Sequence, residues 1–545
     1  MSYVAKDMSA ETVAAAEPAG SRLRLWSLAS FVPALTLFLV CAGVRVLLHS
    51  GFILGDDTNL VAIVDVKLRD LSWGLEQVNL RFGAWGPYLL SARLFGMGEL
   101  GFFMPTWIVS SSFASVAYLL LRRHGYSTAG SVFGGLFVGL SPFEVLIGTS
   151  FANDIFLAGA FAYAYLAWQY RDDLPKLSGT LVATLLWFAF FNKVWAAYVA
   201  PFLGIAFLAD VTRRRRLAFW SSLVIVSVVL HGATAYSYMR ATGDPVPWMH
   251  LLPAHYPVPP GEIGRALMIY PDQILFGDAD LHTTLFGVVP YVWLLAFCLA
   301  VVLRGPRAVL LRDRFGTELF VMWFGIFFLI NFVPNYYSLK EYHSAPRIFR
   351  YLTPISFFLS LHAAKLLLDC ARRLPARLAP VVAPACAVLL LAANVVGAVQ
   401  ATAPGRENRR MVDDVVATVA GSCPPVLLIE SWQGYFFRRV YLRGRCDQTR
   451  VIAIPSNGWG DAGVENMLRT NERDLPAGSM LVTGLGGYVY YACWGCLIQP
   501  EQMKAPMAEE WELVKDSGQL TIRPTPVDVK VWRWRGRAAA EAQPG

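Results

Sequence analysis

LASFVPALTLFLVCAGVRVLLHSGFILGDD, residues 28–57, decides the fold. Its apolar part, 28–48, is long enough to cross the roughly 30 Å hydrocarbon core of a bilayer as a helix. Arg22 and Arg24 precede it as the charged region of a signal peptide would. The apolar stretch is longer than a secretory core, however, and no small-residue cleavage site follows before Asp56 and Asp57. It therefore reads as a retained first span, with an acidic pair just beyond its end.

Similar apolar runs recur near 101–121, 128–148, 152–168, 180–192, 194–210, 218–236, 284–303, 316–333, 351–370 and 379–399. Hydrophobic residues make up 55% of the chain and charged residues 16%, well below the roughly 25% of soluble proteins. The expected fold is a polytopic α-helical membrane protein with about eleven transmembrane helices, which excludes a soluble cytosolic enzyme. The 47 Lys and Arg against 39 Asp and Glu give a net charge of +8. Much of that excess lies in alternate short loops, around Arg122–Arg123, Arg171, Arg213–Arg216, Arg304–Arg314 and Arg372–Arg377. This bias marks the cytoplasmic side of a bacterial inner membrane rather than nucleic-acid binding, with the N-terminus inside and the C-terminus outside.

The domain reading follows from that topology. Residues 1–24 are expected to be a disordered cytoplasmic N-terminus and 25–400 a transmembrane domain with external loops at 49–100, 237–283 and 334–350. Residues 401–545 are expected to form a soluble extracytoplasmic α/β domain. In that domain PVLLIES, RVIAIP, SMLVTGL, QLTIRP and VDVKVWRW read as strands, and APGRENRRMVDDVVATVAG as a helix. Cys423, Cys446, Cys493 and Cys496 all fall there, an even number in an oxidising compartment. Of the three possible pairings, Cys423–Cys446 with Cys493–Cys496 is the expected one. The CxxC spacing of the second pair leaves a redox or metal role as its alternative.

The candidate chemistry gathers at the outer ends of spans. Asp56 and Asp57 are adjacent carboxylates, one able to take a proton from a hydroxyl while the other orients it. The competing reading is an ordinary solvated loop start. Lys340, Glu341, His343, Arg347, Arg350 and Tyr351 form a cation-rich cluster on the face that the charge bias leaves poor in cations. Its guanidinium groups offer forked donors to a phosphate diester, or to lipid headgroups. Glu341 either pairs with Lys340 or Arg347 or meets substrate. Asp154, after GTSFAND, faces a cavity or caps its helix. Lys193, in FFNKVW, snorkels or meets an anion. Asp278, Asp280 and His282 in DADLH offer oxygen and nitrogen ligands to a divalent cation (Mg, Mn or Ca), at a spacing that matches no metal signature. No P-loop, nucleotide-binding GxGxxG, GxSxG or HExxH motif occurs.

The acidic pair after span one, Asp154 at the outer end of span four and the Arg350-Tyr351-x-x-Pro354 element resemble the GT-C superfamily of integral-membrane glycosyltransferases. The likeness is to its ArnT-like and protein-mannosyltransferase-like branch, and some arabinofuranosyltransferases share the layout. The acidic pair is often Asp-Glu in that branch and is Asp-Asp here.

The resemblance implies a polyprenyl-phosphate-linked sugar as donor, with a cell-envelope glycan, lipid or protein as acceptor. Transfer would occur on the outer face of the cytoplasmic membrane. Asp56 or Asp57 would be the base, with Arg347, Arg350, Lys340, His343 and Lys193 on the donor phosphate. Asp154, Tyr351 and Glu341 would orient substrate. The rival is a transporter of lipid-linked or envelope substrates, disfavoured because no repeated halves are seen and the charges sit at span ends rather than mid-membrane.

Overall fold

A computed structural model of the protein describes residues 28–52, 56–71, 80–150, 152–247, 260–276, 285–332, 349–430, 437–454, 475–485, 511–520 and 527–536. The helices are α1 (Leu28–Leu47), α2 (Asp56–Arg69), α3 (Phe82–Phe95), α4 (Glu99–Arg123), α5 (Thr128–Gly139), α6 (Pro142–Thr149), α7 (Asp154–Trp168), α8 (Pro175–Phe190), α9 (Ala200–Val211) and α10 (Leu217–Thr242). Helices at Ile263–Leu275, Val289–Arg304, Arg314–Phe332 (with an internal π turn), Thr353–Ala371 and Ala379–Ser422 follow. Among the described residues, seven helical segments are long and apolar enough to cross a membrane, or eight if α5 and α6 count as one bent span. The protein is therefore a multi-spanning membrane protein.

Three expectations change in detail. The run at 128–148 is not straight: α5 and α6 meet at 54°. Pro142 begins α6, and a proline both lacks the N–H for the preceding turn and disfavours helical geometry in the residue before it. The boundary expected at 400/401 falls inside one unbroken 44-residue helix, Ala379–Ser422. At 1.5 Å per residue this helix is about 66 Å long, twice the bilayer core. Its buried stripe, from Asn394 through Ala398, Ala401, Gly405, Asn408 and Val412 to Val419, steps by three and four residues straight across the expected boundary. The strand expected at QLTIRP instead runs earlier, over Trp511–Leu520, with 521–524 outside the described residues.

The outer portion of the long helix packs on a five-stranded mixed sheet of β1 (Val426–Glu430), β2 (Arg450–Ile454), β3 (Met480–Thr483), β4 (Trp511–Leu520) and β5 (Val527–Trp534). The order is β2-β1-β3-β5-β4; the first three strands are parallel, and β5 is antiparallel to both β3 and β4. Cys423, just past the long helix, is disulfide-bonded to Cys446. Closing a loop of this size contributes about 2–4 kcal/mol by restricting the unfolded chain. Cys493 and Cys496 lie outside the described residues.

Ion pairs close one end of the bundle. Arg123 pairs with Asp173, Arg171 with Glu318 at 3.1 Å, Arg216 with Asp210 at 2.9 Å, and Arg304 with Asp369 at 3.3 Å. Lys365 bridges Asp313 and Asp369, the latter at 2.7 Å. Several loop arginines that carry the charge bias thus have carboxylate partners. Within the bundle the buried Arg45 of α1 donates to the Ser110 hydroxyl at 3.0 Å, and Ser356 donates to the buried Glu144 of α6. These contacts supply partners that charged groups need at membrane depth.

At the opposite end, the long helix braces the segment leading into α2. Gly405 lies against Ser50: a Cβ there would come within 2.7 Å of the Ser50 Cβ. Gly51, with φ +71°, has the Arg409 side chain directly over it, and Arg409 pairs with Glu99 at 2.9 Å. The start of α2, with Asp56 and Asp57, therefore follows a segment held by α4 and the long helix.

Candidate active site

Three segments far apart in sequence deliver charged groups to this second end. Asp154 opens α7. Lys193 stands in the turn between α8 and the 3₁₀ helix Val194–Val199. Arg350 and Tyr351 lie in the 3₁₀ turn Phe349–Leu352 that leads into Thr353–Ala371.

Asn192 ties the first two segments together. Its side-chain amide donates to the Asn153 carbonyl at 2.9 Å and to the Gly83 carbonyl at 3.1 Å. Gly83 is needed there because a Cβ would sit 2.5 Å from the Phe188 carbonyl oxygen and 2.6 Å from the Asn192 nitrogen. The start of α3, with Arg81 as its N-cap residue, is thereby drawn to the same place.

The Lys193 ammonium pairs directly with one carboxylate oxygen of Asp154. The other carboxylate oxygen lies 3.7 Å from Arg350 Nε. Tyr351 closes the group: the ammonium is 3.9 Å from its ring centroid, and Trp195 meets that ring edge-on at 4.3 Å. Asp154 is 1% exposed and Lys193 9%, so water screens this pair little.

Burial pushes the Lys193 ammonium down to about 7, opposed by the Asp154 carboxylate and reinforced by Arg350 and Arg81. The Asp154 carboxylate thus stands between the Lys193 ammonium and the Arg350 guanidinium, with Arg81 near enough to act on Lys193. An apolar groove of about 340 Å³ runs between α3, α4, α7 and α8. Phe156, two residues after Asp154, and Phe188, five before Lys193, both line it. The groove therefore runs beside the start of α7, where Asp154 stands, and the end of α8, just before Lys193, while Arg350 and Tyr351 come from another element.

The structure brings together Asp154, Lys193, Arg350 and Tyr351 from the residues expected from sequence. Asp56 and Asp57 open α2, one helix before α3. Lys340, Glu341, His343, Arg347, Asp278, Asp280 and His282 lie outside the described residues. Among the described residues no group of three or more His, Cys, Asp and Glu side chains converges as a metal site. Sequence reading missed Arg81, Asn192 and Trp195. Asn192 and Trp195 flank Lys193 within FFNKVW, but their partners are at positions 83, 153 and 351, which no local pattern reveals.

No family model matches the chain, and no curated protein matches it. Among solved structures, ArnT from Cupriavidus metallidurans in the apo state aligns with a TM-score of 0.56 at 14% identity, covering 94% of this chain and 99% of that one. The same protein bound to undecaprenyl phosphate aligns with a TM-score of 0.52 at 13% identity, covering 93% and 98%. The chain thus shares the fold of that structure, with a helical membrane domain and a C-terminal sheet domain.

A phosphodiester bound at this cluster would hold Lys193 in its charged form. Above about pH 7 binding must then take up a proton. Binding is expected at full strength below that pH and to weaken by up to about tenfold per pH unit above it. Lys193→Arg, charged throughout, should flatten the profile. Titrating a short prenyl phosphodiester into nanodisc-embedded protein across this range makes the comparison, and a flat wild-type profile would remove Lys193 from the anion site.

Proposed function

We propose that this protein transfers a sugar from a polyprenyl-phosphate-linked donor to a hydroxyl of a cell-envelope acceptor on the outer face of the cytoplasmic membrane. The observation that carries the reading is the buried Asp154–Lys193–Arg350 cluster, with an apolar groove along α7 and α8 beside Asp154 and Lys193. A prenyl chain takes the groove and its phosphate takes the cations. The structural neighbour bound to undecaprenyl phosphate supports a donor of that class.

In the proposed reaction the acceptor oxygen attacks the anomeric carbon as the bond from that carbon to the phosphate oxygen breaks. The electron pair leaves with the phosphate, whose growing charge Lys193 and Arg350 stabilise, with Arg347, Lys340 and His343 as further expected donors. Asp56 or Asp57 accepts the acceptor's proton, and Asp154 and Tyr351 hold the cations in place. A single displacement inverts the anomeric centre. Phosphate is a good leaving group, so one base suffices without a paired acid.

The topology proposed for this reaction has eleven spans, counting the bent α5–α6 pair and the shorter apolar helices α7, α8 and Val289–Arg304 as one each. With the N-terminus inside, the sheet domain then faces the oxidising compartment, in keeping with the Cys423–Cys446 bond.

Purified protein in nanodiscs, incubated with a panel of polyprenyl-phosphate sugars that includes arabinofuranose and mannose donors, tests the reading. Release of free polyprenyl phosphate that depends on an added envelope acceptor is the expected result. Folded protein that releases none across the panel would sink it.

A further inference from the structure

We propose a second site, a guanidinium-lined cavity that binds the anionic part of a glycan acceptor; this rests on the transferase reading and deepens it. The cavity, about 750 Å³, lies between the C-terminal end of α2 and the soluble domain. That volume is in the range of ligand-binding cavities. Arg69 contributes from α2, Arg438 and Arg439 from the π turn Phe437–Tyr441, Arg443 from the residues just after it, and Arg450 from the start of β2.

Among the described residues two carboxylates line the cavity, and both are engaged. Asp65 accepts from Arg69 at 2.8 Å and lies 3.6 Å from Arg439, while Asp447 accepts the Gly444 backbone N–H at 2.7 Å. Among the described residues Arg438, Arg443 and Arg450 form no ion pair. All three are exposed and line the same cavity, so an anion entering it meets three guanidinium groups. Their forked N–H donors suit phosphate and carboxylate alike. Thr449 also lines the cavity; it is 9% exposed, and its hydroxyl has no hydrogen-bond partner among the described residues.

A glycan fits this site better than a lipid. The plainly apolar lining residues are Leu68, Met97, Leu442 and Val451, too few for acyl chains, and much of the wall belongs to the soluble domain around the Cys423–Cys446 bond. Helix α2 also sets a distance. Arg69 ends it and Asp56 begins it, so the cavity and the candidate base are separated by about 20 Å along the helix. A chain several sugars long, anchored by its anionic groups, can place a terminal hydroxyl at the other end of α2; a monosaccharide cannot do both.

The test is direct binding, which needs no turnover. Full-length protein in phosphatidylcholine nanodiscs is titrated with fluorescent hexagalacturonate, with neutral maltohexaose as control and pyrophosphate as competitor. Phosphatidylglycerol vesicles are offered separately. Hexagalacturonate should bind the wild type, pyrophosphate should compete, and affinity should fall steeply with salt. It should weaken at least tenfold in the R438Q/R443Q/R450Q protein, and to a lesser degree in R443Q alone, which guards against a folding defect in the triple variant. Maltohexaose should not bind. Equal binding by wild type and triple variant, no hexagalacturonate binding, or binding only to phosphatidylglycerol vesicles would each overturn the proposal. Acceptor-free binding of a prenyl phosphodiester, measured on the same samples, reports on the donor site. A failed glycan site with intact donor binding is therefore distinguishable from failure of the transferase reading.

Discussion

Asn at one of positions 56 and 57 is expected to lower sugar transfer about 10²–10⁴-fold, the range of a lost general base, while Asn at the other costs far less. Both residues open α2. Asn is close in size and caps a helix start as well as Asp does, so the substitution removes basicity with little effect on folding. The segment just before, Ser50–Gly51, is clamped by Gly405 and Arg409 of the long helix, which limits relaxation. Initial rates of polyprenyl phosphate release by the two variants, at saturating donor, decide the assignment. Donor binding should remain near wild type in both. Full rates in both variants would show that neither carboxylate is the base.

The second large effect belongs to Asp154. Its replacement by Ala leaves Lys193 and Arg350 close together and buried with no carboxylate between them. Lys193, already down to about 7 with Asp154 beside it, then gives up its proton at neutral pH, while Arg350 stays charged and desolvated, at a cost of up to about 3–5 kcal/mol. A clear drop in the thermal midpoint is expected, by several degrees. Asp154→Ala with Lys193→Met should recover part of it, since the double change removes the buried amine along with its partner and leaves only Arg350 without the carboxylate. Thermal unfolding of the four proteins in one detergent completes the cycle. If the double variant is no more stable than Asp154→Ala alone, the ion pair is not the source of the loss, and the site has to be rebuilt around Arg350.

The membrane architecture was legible in the sequence, and so was much of the sheet. Apolar runs at 28–48, 101–121 and 218–236 correspond closely to α1, α4 and α10. PVLLIES, RVIAIP, SMLVTGL and VDVKVWRW became β1, β2, β3 and β5. What was misread turned on features that hydropathy does not register. A proline bent one apolar run into α5 and α6. The helix expected at APGRENRRMVDDVVATVAG joins the span before it without a break, because its buried stripe continues in phase across 400/401.

The candidate site was legible as residue types and not as a geometry. Asp154, Lys193 and Arg350 each stood out alone, and each had an ordinary alternative as a cap, a snorkelling lysine or a headgroup contact. Their union depends on Asn192 joining two helix ends, and on Gly83 allowing α3 to close against α8. The arginine cavity has the same character: Arg69 and Arg438 are 369 positions apart in the chain.

By itself the sequence determined that the chain is a multi-spanning helical membrane protein with a strand-bearing C-terminal part. That outcome is settled segment by segment, by whether a run of side chains is more stable in hydrocarbon or in water. Only the tertiary structure decided which outer-end charges meet, because their distances are set by how α3, α7, α8 and Thr353–Ala371 pack. The same packing decides whether a lone charge becomes a desolvated pair, which is where its chemistry begins.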